Sequence, residues 1–118
     1  MLAKDVIEEA RKNVPKYIDE GLLNKDNSKN ILILDTFKRN SEESLKVADN
    51  LFKSNLSSLW TIVCSYYSMY YVANAVLYNL GYKVAGKISH KVTSDALIVF
   101  VKNKLKEQFL EEYQEAKD

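Results

Sequence analysis

The sequence predicts an all-α fold, an antiparallel up-and-down bundle of four to five helices. Three observations carry this. Glycine and proline are scarce, three and one in 118 residues. No stretch alternates apolar and polar residues as a half-buried strand does. Apolar residues instead recur at helical spacing through long segments. The length fits one domain over residues 1–118. The composition, 47% apolar and 28% charged, is that of an ordinary globular protein and not of a disordered one.

Val6, Ala10 and Val14 recur every fourth residue and mark a first short helix, which Pro15 is expected to end or kink. "IDEGLLNKDNSKN" reads as a connection around Gly21, with Asn27 or Ser28 as the cap of the next helix. From about Ser28 to Ser54, the residues Leu34, Phe37, Leu45, Ala48 and Phe52 form an apolar stripe opposite charged positions. That is the pattern of a long amphipathic helix. A third helix runs from about Leu56 to Leu80, and Gly81 is placed to end it in the left-handed conformation. "YKVAGKIS" reads as a loop. A fourth helix follows from Ser89 or His90 to Lys104, with Val92, Ala96, Val99 and Phe100 on one face. Phe109, Tyr113 and Ala116 continue at helical spacing to a last segment that stops without a capping signal, as a truncated domain would.

The third helix is unusual. Residues 54–82 contain no charged side chain, yet 65–82 hold six of the eight tyrosines. The length suits a membrane span. The content does not, because Ser54, Asn55, Ser57, Ser58, Ser65, Ser68, Asn74 and Asn79 run through it. Tyrosine belongs at the edges of a bilayer rather than across its centre. The stretch therefore reads as a central helix buried on most sides. A four-helix monomer gives too little cover for that, so part of the helix is expected to meet a second subunit. Tyr67, Tyr71 and Tyr78 are the expected contacts of a homodimer, since each pairs a large ring with a hydroxyl.

Charge is unevenly spread. The net charge is +1, but residues 83–106 carry six lysines and one Asp, and residues 107–118 five acids and one lysine. The basic segment is where a phosphate-bearing partner would bind. Cys64 is the one cysteine and His90 the one histidine. That excludes an internal disulfide, fits a cytoplasmic setting, and leaves no zinc site within one chain. No cofactor motif is present, and the N-terminus is charged and amphipathic rather than a signal peptide.

"WTIVCSYYSMYYVANAVLYNLGYKVAGKISHKVTSDAL", residues 60–97, resembles the core of the HEPN domain family (higher eukaryotes and prokaryotes nucleotide-binding). The shared features are the Ser-Tyr-Tyr-x-Met-aromatic run at Ser65–Tyr70, the break at Gly81, and the Ser-His-Lys opening at Ser89–Lys91. The preceding "ESLKVADNLFKSN" fits as well, so the resemblance covers about residues 28–105. It implies a helical bundle, usually dimeric. Many members are metal-independent ribonucleases, often toxins, and others partner minimal nucleotidyltransferases. The family's catalytic signature is an Arg followed, after four to six residues, by a His. His90 matches the His. No arginine follows Arg39, and of the permitted positions only Lys83 carries a cation.

Metal-free RNA cleavage needs a base, an acid and cations on the phosphate. One His per chain fills one proton-transfer role, and lysine lacks the bidentate fork of arginine. Lys83, Lys87, Ser89, His90 and Lys91 together compose a passive phosphate or RNA site at a helix start. The expected function is thus a HEPN-type nucleic-acid-, nucleotide- or partner-binding module of a toxin–antitoxin or nucleotidyltransferase-linked system. The alternatives are a ribonuclease using His90 with Lys83 and a purely structural dimerisation module.

Overall fold

A computed structural model describes residues 3–85 and 89–102. They form four helices with antiparallel packing: α1 Lys4–Asp19, α2 Ile31–Ser54, α3 Ser58–Asn79 and α4 Ser89–Phe100. The expected fifth helix around Phe109, Tyr113 and Ala116 lies outside the described residues. No helix among them is long and apolar enough to cross a membrane.

The connections hold what the sequence did not announce. Leu23–Lys25 (β1) and Tyr82–Val84 (β2) pair in a two-stranded sheet. Three residues are too few to show an alternating pattern. Each strand follows a glycine at positive φ, Gly21 at 75° and Gly81 at 95°, which turns the chain out of its helix. The left-handed C-terminal role expected of Gly81 is thereby met.

The chain divides into two compact units. One is made of residues up to Asn24 and from Val84 onward, the other of Lys25–Lys83.

In the first unit α1 packs on α4. Ala10, Val14 and Tyr17 on α1, and Val92 and Ala96 on α4, are buried. Of the two outcomes expected of Pro15, ending or kinking α1, the first does not occur; the helix continues four residues past it. The missing N–H leaves the Arg11 carbonyl without its helical donor, but Arg11 and Pro15 are both exposed, so water can satisfy that carbonyl. Val14 and Tyr17, buried on either side, hold the backbone helical across the gap.

In the second unit α2 and α3 form an antiparallel hairpin. The cap of α2 is Asn30 rather than Asn27 or Ser28. Its side chain accepts from the Leu32 N–H, while Ser28 turns back to Asp26. Asn55 at φ 57° ends α2, and Ser57 opens α3 by accepting from the Trp60 N–H. Midway along, a reciprocal clasp joins the helices. Ser41 Oγ donates to the Ser68 carbonyl and Ser68 Oγ to the Ser41 carbonyl, each at 2.9 Å. Small hydroxyl residues there let the backbones approach and leave neither serine hydroxyl unbonded.

Its own chain does not bury α3 on most sides. Ser68, Asn74, Ala75, Leu77 and Tyr78 are buried, but Leu59, Trp60, Ile62, Tyr66, Tyr67, Met69, Val72 and Val76 are exposed. The amphipathic stripe of α2 is likewise only half used: Ala48 is buried, whereas Leu45 and Phe52 face solvent. Apolar spacing reports which side of a helix is apolar, not whether anything in the same chain covers it.

Candidate functional site

Lys83 and His90 belong to different units. Lys83 is exposed on β2. Its charge helps hold the nearby Asp26 carboxyl below the usual range, behind the larger effect of the hydrogen bonds from Ser28. His90 is exposed in the first turn of α4. Ser89 opens that helix, though its side chain, like Lys87, lies outside the described residues. Lys91 is already occupied. Its Nζ lies 3.3 Å from Glu9 Oε1 and 3.3 Å from Asp95 Oδ1. Partial burial pulls the ammonium's pKa down, but the hydrogen bonds and charges of Asp95 and Glu9 outweigh it and leave the value raised. A phosphate at Lys91 would compete with two carboxylates.

The sequence reading missed the group that Lys91 joins. Asp95 is 1% exposed between α1 and α4. Its Oδ2 accepts from the Tyr17 hydroxyl at 2.7 Å and from Asn13 Nδ2 at 3.2 Å. Burial, and then the bond to Asp95, push the Tyr17 hydroxyl up to about 12. This carboxylate is buried because donors on α1 and a lysine one turn back answer both its oxygens. A signal was present in the sequence: Asp95 interrupts the apolar face of Val92, Ala96 and Val99, where a charge needs dedicated partners. Among the described residues no group of three His, Cys, Asp or Glu side chains is placed to hold a metal ion.

The three tyrosines expected at a dimer contact separate into two kinds. Tyr78 is 2% exposed and belongs to the interior of its own hairpin, which corrects that expectation. Its ring meets Phe37 edge-on and its hydroxyl accepts from the Asn30 N–H at 2.7 Å, tying the start of α2 to the end of α3. Tyr67 is exposed and Tyr71 half-buried. Tyr67 sits at the centre of a ring cluster, with Tyr66, Tyr70 and Tyr71 at centroid distances of 5.9, 6.3 and 6.2 Å.

A second exposed apolar feature runs along the same hairpin. Leu59, Ile62, Tyr66, Met69, Ala73 and Val76 follow one another at alternating steps of three and four along α3. That spacing forms a single seam of the kind that packs on another helix. Beside it, between α2 and α3, lies an open groove of about 420 Å³. Leu34, Val72, Ala75 and Val76 give it apolar walls, and Lys38 and Glu42 stand on its α2 side. The arrangement is suited to docking apolar surface. No family model, curated protein or solved structure matches the chain.

Proposed function

We propose that the chain is a HEPN-type helical binding module that docks a partner on its α2–α3 hairpin and performs no chemistry of its own. The observation that carries this reading is the uncharged seam of α3, with Leu59, Ile62 and Met69 each about two thirds exposed. Folded monomers in water rarely leave so many large apolar residues together without a use for them. The resemblance of residues 60–97 supports the family and, through it, a role beside a nucleotidyltransferase or in a toxin–antitoxin pair. The engagement of Lys91 by two carboxylates weakens the basic segment as a phosphate site, and no arginine stands where the family's catalytic one would.

Incubation with RNA in a metal chelator separates binder from enzyme. The expected outcome is intact RNA, with the same result for His90→Ala. Any retention of RNA at low salt is expected to fall steeply as salt rises, because phosphate contacts release counterions. Metal-independent cleavage that His90→Ala abolishes, and that Lys83→Ala weakens together with binding, would replace this reading by an endoribonuclease.

A further inference from the structure

The closed end of the hairpin exposes large apolar side chains on both helices and on the turn between them. We propose that this end, the α2–α3 turn with the helix ends beside it, inserts into the headgroup layer of a zwitterionic phospholipid bilayer. The inference goes beyond the binding reading given above, because it concerns the turn and not the groove.

Three observations support it. The first is what the turn exposes. Phe52 at the end of α2, Leu56 in the turn, and Leu59, Trp60 and Ile62 at the start of α3 are each between 57% and 77% exposed. At a rise of about 1.5 Å per residue, all lie within about 6 Å of the helix ends. Interfacial segments sink to a similar depth, about 5–10 Å. At about 100° per residue, Leu59, Trp60 and Ile62 spread over about 160° of α3. A protein partner docks on one stripe of a helix, whereas a fluid surface closes round its end. Trp60 is the chain's single tryptophan, and tryptophan concentrates where headgroups meet acyl chains.

The second is that the turn bonds its own polar groups. Asn55, left-handed at φ 57°, donates its N–H to the Phe52 carbonyl, and Ser54 Oγ donates to the Leu51 carbonyl. Ser57 Oγ accepts from the Trp60 N–H. The Ser57 carbonyl accepts from both the N–H and the hydroxyl of Thr61. A segment that leaves water has to hold its donors and acceptors internally in this way.

The third is charge. No charged side chain lies between Lys53 and Lys83. Lys53, beside the turn, sends its ammonium back along α2, where Nζ lies 2.8 Å from Asp49 Oδ2. The cation is thereby held away from the inserted end, as lysines are at a membrane edge. Ammonium and carboxylate side by side complement the phosphate and the ammonium of a zwitterionic headgroup, and they add no net charge. Among the described residues no helix is long and apolar enough to cross a bilayer, so the contact is one of surface insertion.

The full chain, mixed with unilamellar phosphatidylcholine vesicles, tests this by flotation and by the fluorescence of Trp60. The protein is expected to float with the vesicles and its emission to shift to the blue. Lipids brominated near the headgroup end of the acyl chain are expected to quench Trp60 more than lipids brominated near the chain terminus. Leu56→Glu and Leu59→Glu each put a charge where an apolar group enters lipid, and each is expected to weaken vesicle binding by about tenfold or more. Ile31→Glu makes the same kind of change at a residue 68% exposed at the far end of α2, and is expected to leave binding unaltered. All three sites are exposed, so folding is expected to survive, and the helical circular dichroism of each variant checks it. Absence of both flotation and emission shift in the wild type overturns the proposal. So does binding that appears only with anionic phosphatidylserine and is lost in salt, which would belong to the lysines. Binding that Ile31→Glu weakens as much as Leu56→Glu also overturns it, as does a blue shift that grows with protein concentration without lipid, which would put a protein over Trp60. Failure here leaves the groove able to dock a partner. RNA cleavage through His90 would overturn that reading and leave the lipid contact intact.

Discussion

Asp95 and Tyr17 set a pH limit that a single substitution can expose. The tyrosine's pKa is about 12 in the folded chain against 10 in a solvated one, because burial and the Asp95 carboxylate both oppose a phenolate. A pKa raised on folding gives stability that is complete below pH 10 and is lost as pH rises from 10 towards 12. Lys91, also raised, loses its contribution in the same direction. Tyr17→Phe keeps the ring and removes the hydroxyl. It is expected to cost about 1.5–3 kcal/mol at neutral pH, the range of a hydrogen bond to a charged group. In urea unfolding at stepped pH, the wild type's advantage over Tyr17→Phe is expected to shrink above pH 10. An advantage that stays constant through pH 12 would show that the bond to Asp95 is not made.

Within α1, Pro15 is the element's weak point. Proline in a helix interior is worth about 3 kcal/mol less than alanine, chiefly through the lost N–H and the clash with the preceding turn. Pro15 is exposed and touches no functional residue, so Pro15→Ala is expected to stabilise the chain by about 1–3 kcal/mol in urea unfolding. No gain would mean that α1 contributes nothing to the transition. The same helix shows what a sequence can and cannot disclose. Val6, Ala10 and Val14 announce it by spacing, a local property. Its passage through Pro15 depends on Val14 and Tyr17 finding cover on α4, which is not local. The cap of α2 was misplaced by two or three residues for a similar reason, since Ser28, Asn27 and Asn30 are all good caps and the Tyr78 hydroxyl on α3 holds the Asn30 backbone. Gly81 was legible because a left-handed residue after an apolar helix leaves glycine as the natural choice.

Across the whole molecule, the helices were readable and their covering was not. The seam of α3 looks alike in sequence whether its own chain or a partner buries it, so Tyr67 and Tyr78 could not be told apart until Phe37 and Asn30 were seen around one of them. In the sequence Asp95 is a lone acid in a basic segment, because its donors stand 78 and 82 residues away. That separation also has a consequence for how the protein is made. Translation runs at about 5–20 residues per second, so roughly 4 to 16 s pass between synthesis of Tyr17 and of Asp95. Through that interval α1 leaves the ribosome with Ala10, Val14 and Tyr17 uncovered, while the α2–α3 hairpin, whose clasp spans 27 residues, can already close. Nascent chains stalled before α4 is out are therefore expected to protect residues 31–79 from protease and to leave α1 open to cleavage or to a waiting chaperone. Protection of α1 at that length would mean that something other than α4 receives it first.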